Sequence, residues 1–83
     1  MRQILFQMAK KIYVINGEKV KEYRLLNGMT QQDLADKAQL SVSVLSKIEN
    51  GVHRNVRTST LFELATVLEC DVTEIVINKK SKI

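Results

Sequence analysis

Residues 30–51 read TQQDLADKAQLSVSVLSKIENG, with the apolar spacing of two short helices joined by a tight turn. Leu34, Ala35 and Ala38 stand at i, i+1 and i+4, which puts them on one face of a first helix. Thr30 precedes it with Asp33 three residues on, the spacing of a capping box in which Asp replaces the usual Glu. Leu40 falls in the connection, and Leu45 and Ile48 mark the inward face of a second helix. Ser41 is its predicted N-cap and Asn50-Gly51 its stop. The outward face carries Ser41, Val42, Ser43, Ser46, Lys47 and Asn50. Hydroxyls, one small apolar group, a cation and an amide make a poor core. They suit contact with phosphates and base edges, if the helix lies in a DNA major groove.

This stretch resembles the helix-turn-helix of the phage-repressor and Cro type, the xenobiotic-response-element family with its lambda-repressor-like domain. Leu34-Ala35, Ala38, Leu40, Leu45 and Ile48 match the family pattern, and TQ…LA…IENG is a specific wording of it. The resemblance covers roughly Asn16 to Ile77 and implies an all-α, five-helix DNA-binding domain. Gln39 departs from the pattern by standing where the family has its turn Gly. If that backbone is left-handed, a non-Gly residue there is strained. The resemblance also implies that Arg24 pairs with Glu49, and that Gln31 braces a phosphate at the positive end of its helix. It further implies that the polar, basic loop VHRNVRTST after Gly51 runs along the DNA backbone. His53, Arg54, Asn55 and Arg57 are then the phosphate contacts. Val56 takes a place where the family often has Pro, and Glu69 one where it prefers Gly.

Charge confines the argument further. The 83 residues carry a net +4. Six of the cations are Arg2, Lys10 and Lys11 at one end and Lys79, Lys80 and Lys82 at the other, while all nine carboxylates lie between. Residues 16–78 are therefore mildly acidic, and a basic pI by itself argues nothing about nucleic acid. Distribution does: Lys47, His53, Arg54 and Arg57 cluster at the second helix of the motif, whereas Glu63, Glu69, Asp71 and Glu74 gather later. One cysteine excludes an internal disulfide and suits a reducing, cytoplasmic setting. No apolar run is long enough to span a membrane.

The expected organisation is an N-terminal extension over 1–15, the helix-turn-helix domain over 16–77 with the motif at 31–50, and a basic tail over 78–83. In the extension Ile4, Leu5, Met8 and Ile12 keep helical spacing, and Ile12–Ile15 reads as a short strand. It is either a leader or a dimerisation element packing on the C-terminal end of the domain, within one chain or across a two-fold axis. Asn16-Gly17 opens a first helix over 18–27, with Val20, Tyr23 and Leu25 or Leu26 inward and Gly28 as its left-handed stop. Thr58 or Ser59 is the predicted cap of a fourth helix, whose Leu61, Leu64, Ala65 and Leu68 are core. Cys70 is expected to be a buried, inert thiol, and Asp71 with Glu74 caps a short fifth helix.

Nothing in the sequence suggests catalysis, a metal or a cofactor. It has no Gly-rich phosphate loop, no ligand cluster around His53, and no nucleophile with base and orienter. The reading is a double-stranded-DNA-binding transcription regulator, a repressor acting as a homodimer. Lys47 would favour guanine, Ser43 and Ser46 would accept several bases, and Val42 would pack on a thymine methyl. Two alternatives stay open: a protein-interaction module such as an antitoxin or repressor antagonist, and a non-specific binder using its basic ends.

Overall fold

The computed structural model describes residues 12–77. Ile4, Leu5 and Met8, on which part of the dimerisation reading rests, and the basic tail lie outside the described residues. The chain runs β1 (Ile12–Val14), α1 (Gly17–Leu26), α2 (Gln31–Ala38), α3 (Val42–Glu49), β2 (Asn55–Arg57) and α4 (Thr58–Leu68), and ends in a 3-10 turn over Val72–Glu74.

Local chemistry sets most of the boundaries. The Asn16 side chain accepts from the Lys19 N–H at 3.3 Å and caps α1. Gly28 follows its end with φ +70°, as the left-handed stop requires. Thr30 and Asp33 form the reciprocal capping box of α2: Thr30 Oγ1 accepts from Asp33 N–H at 3.0 Å, and Asp33 Oδ2 from Thr30 N–H at 3.1 Å. Ser41 Oγ accepts from Val44 N–H at 3.1 Å and caps α3. Gln39 turns the chain between α2 and α3 in the left-handed conformation (φ 62°, ψ 42°) without being glycine. Glu69 does the same after α4, at φ 57°.

Val20, Leu34, Leu45, Ile48, Leu61, Leu64 and Ile75 are fully excluded from solvent, so every helix contributes to one core. Ile15 joins them at 2% exposure, which brings the end of the N-terminal extension into the packed unit. β1 lies antiparallel to β2 with Tyr13 opposite Val56, and Ile15 N–H donates to Arg54 O at 2.8 Å. On its other side, Val14 O accepts from Ile77 N–H and Asn16 N–H donates to Ile75 O, both at 2.8 Å. The end of the strand thus finds partners on both sides within one chain.

Five expectations are corrected. There are four α-helices rather than five among the described residues. The segment after Asp71 makes only one 3-10 turn because Val76 then bridges to Ile15 and the Ile77 N–H donates to Val14 O. The stretch after Gly51 is not all loop, since Asn55–Arg57 is β2. That strand runs straight into α4, so Arg57 occupies the N-cap position without a side-chain cap bond and Thr58 is already helical. Leu25 and Leu26 are 57% and 74% exposed, because the inward face of α1 is taken by Val20 and Arg24. Cys70 is only half-buried, although burial, with Glu74 and Asp71 adding to it, still pushes its thiol pKa up.

Candidate nucleic-acid interface

The α2–turn–α3 unit is held from behind by an ion pair. Arg24, on α1, and Glu49, the last residue of α3, are 7% and 6% exposed. Arg24 Nε donates to Glu49 Oε2 at 2.7 Å and Arg24 Nη2 to Glu49 Oε1 at 3.0 Å, a two-pronged pairing. The third nitrogen, Nη1, donates to Met29 O at 2.8 Å and so ties the α1–α2 connection to the same group. Glu49 Oε1 also accepts from Gln31 Nε2 at 3.0 Å. Buried in this way, Arg24 spends three of its five N–H donors inside the domain.

α3 is sharply two-faced. Leu45 and Ile48 are in the core, whereas Ser43 and Lys47 are exposed and Val42 and Ser46 half-buried. Ser41 and Asn50, the residues flanking the helix, are exposed at its two ends. Beyond Gly51 (φ +81°), the Val52 and His53 N–H groups both donate to Lys47 O, at 2.9 and 3.0 Å. This folds the chain back over the end of α3. His53, Arg54 and Arg57 follow, all exposed, with Arg57 fixed by its place in β2. Gln31 is half-buried at the start of α2, in contact with Glu49.

All eleven residues singled out for contact with DNA thus lie on α3, at its ends, on the segment just beyond it, or at the start of α2. Sequence reasoning missed the Gln31–Glu49 bond, because no periodicity relates residues 18 positions apart on different helices. It also missed Val44. This half-buried residue lines, with Leu40, His53, Asn55, Arg57 and Thr60, a groove of about 310 Å³ beside α3. The signal for Val44 was ambiguous, since it lies between the two faces of its helix. Among the described residues there is no group of His, Cys, Asp and Glu placed to hold a metal, and no helix is long and apolar enough to cross a membrane.

Two short helices joined by a tight turn, the second with a polar outward face and basic residues beyond its end, make a helix-turn-helix. The helix-turn-helix family profile matches residues 20–75, and the chain belongs to that family, in its Cro/C1-type branch of DNA-binding transcription regulators. It is 33% identical over 76 residues to the propionyl-CoA carboxylase regulator of Cereibacter sphaeroides, covering 92% of this chain and 16% of that protein. It is 37% identical over 59 residues to the HTH-type transcriptional regulator SlrR of Bacillus subtilis, covering 71% and 39%. The chain therefore spans well under half the length of either relative. Among solved structures it is similar to SinR, the master regulator for biofilm formation, in complex with DNA. The TM-score is 0.66 at 33% identity, covering 69% of this chain and 90% of that one.

Proposed function

We propose that the chain is a sequence-specific regulator of transcription, a repressor that binds double-stranded DNA as a homodimer with α3 in the major groove of a palindromic operator. The observation that carries this reading is the division of α3: Leu45 and Ile48 are buried while Ser43 and Lys47 are exposed, with exposed His53, Arg54 and Arg57 next along the chain. A helix of this length reaches few bases, so two copies placed ~34 Å apart on a two-fold site are the natural route to useful affinity. Lys47 reads guanine O6/N7, Ser43 and Ser46 contact neighbouring bases, and Val42 packs on a thymine methyl. Gln31, Ser41, Asn50, His53, Arg54 and Arg57 engage the backbone on either side. Such a protein would work in the cytoplasm, associated with the nucleoid.

Selection of preferred duplexes from a random pool tests this. Lys47→Ala should relax preference at one base pair per half-site at a cost of ~1–3 kcal/mol, whereas Arg54→Ala should weaken all sequences alike and reduce the salt slope. Identical selection profiles for the two variants would remove the division into reading and positioning residues. Failure of the parent chain to prefer any sequence would remove sequence-specific regulation altogether. A protein partner is the second reading. It is favoured by the exposed Leu25, Leu26 and Phe62, and by the similarity to SinR, which has also been solved in complex with SinI.

A further inference from the structure

Glu49 is nearly sealed from solvent, yet it touches more than its ion-pair partner. Its Oε2 accepts from Arg24 Nε, and its Oε1 accepts from both Arg24 Nη2 and Gln31 Nε2. Arg24 holds the carboxylate in two places and is itself pinned to Met29 O, so Glu49 has little freedom to turn. A carboxylate only accepts, and the amide end of Gln31 has one accepting oxygen and one NH2 group. Glu49 therefore forces the NH2 toward itself and fixes which way the amide faces. One of the two N–H bonds is consumed. The other lies in the same amide plane, directed away from the carboxylate, and Gln31 is half-buried at the first position of α2.

We propose that Glu49 is a positioning residue for DNA binding: fixed by Arg24, it orients the Gln31 amide so that the free N–H is presented to a backbone phosphate. This rests on the DNA-binding reading above and deepens it. Glu49 closes the helix that carries the base-reading residues, and Gln31 opens the helix that crosses the backbone. One buried carboxylate thus sets the register between the reading element and its phosphate anchor. A freely rotating glutamine would have to lose its rotamer freedom on binding, whereas a pre-oriented one does not.

The test measures Gln31→Ala in two backgrounds, using a short mixed-sequence DNA duplex at low salt as the probe. The second background is Arg24→Met with Glu49→Leu, which removes the charges together and keeps the volume filled. In the parent, Gln31→Ala should weaken duplex binding by about 3–10-fold, the range of one hydrogen bond. In the second background the same substitution should change binding by less than about 2-fold. Equal losses in both backgrounds would overturn the positioning role and leave DNA binding intact. No duplex binding by the folded parent would instead overturn the DNA-binding reading. If the double variant does not fold, the Gln31 side-chain amide protons of the parent decide by NMR. One proton should be protected in the free protein, and only the other should shift when duplex is added. Two unprotected protons would overturn the proposal.

Discussion

Replacing Gly17 by Ala sets two physical effects against each other, and the structure says which prevails. Gly17 is the first residue of α1, where alanine would ordinarily gain ~0.5–1 kcal/mol because glycine is the costlier residue to order in a helix. A Cβ built at this position, however, would lie 1.9 Å from Ile48 O, 2.9 Å from Ile48 C and 3.1 Å from Glu49 Cα. The first distance is roughly 1.5 Å short of ordinary contact. The obstacles are backbone atoms of the last turn of α3, so no side-chain rotation relieves the clash. Ile48 O also accepts from Gly51 N–H at 3.1 Å, which holds it in place. Either α1 or α3 must shift, and overpacking of this kind costs ~1–3 kcal/mol or more. The net expectation is a loss of about 1–2 kcal/mol, each kcal/mol lowering Tm by roughly 4–8 °C in a domain of this size. Thermal and urea melts of Gly17→Ala against the parent measure it. A variant as stable as the parent, or more so, would refute the close approach of α1 to α3.

Four further substitutions test the framework. Arg24→Ala and Glu49→Ala should each cost ~3–5 kcal/mol in a urea melt, with the double variant recovering part of the loss, since each partner alone leaves a buried charge unpaired; strictly additive losses would contradict the pairing. Gln39→Gly should stabilise by ~1 kcal/mol by relieving the left-handed strain at φ 62°, and a destabilised variant would show that the Gln39 side chain matters more than its backbone. The Tyr23 hydroxyl donates to Glu74, which pushes Tyr23 from 10.0 up to about 12 and holds the Glu74 carboxyl below its usual range. The neutral phenol then contributes stability that is complete below pH 10 and lost as pH rises through about 12. The ionised carboxylate contributes stability present above its ordinary value and lost as pH falls through its depressed one. Tyr23→Phe should weaken both dependences and remove the late-titrating phenol from the ultraviolet absorbance curve; an unchanged curve would mean that Tyr23 and Glu74 do not meet.

What the sequence by itself determined was whatever is written in local chemistry and short periods. Thr30 with Asp33, Ser41 before Val42, and Asn50-Gly51 bound the two motif helices because caps act within three or four residues. Leu34, Ala35, Ala38, Leu45 and Ile48 were legible as core because the helical period repeats within the window that contains them. That same pattern left Ser43 and Lys47 on the outward face. Tertiary structure decided the rest. β1 was legible as the β-prone run Ile12–Ile15, whereas β2, only three residues long, is a strand because β1 lies beside it. Asp71 and Glu74 do form a capping box, but the helix it announces stops after one 3-10 turn because the chain must return beside β1. Leu25 and Leu26 face solvent because a charged residue, Arg24, takes the interior place opposite Glu49. Gly17 is required by a carbonyl 31 residues further along the chain, and Gln31 is held by a carboxylate 18 residues away. Contacts between separate helices leave no periodic trace in sequence, and only the packed arrangement brings those groups within hydrogen-bonding or steric reach.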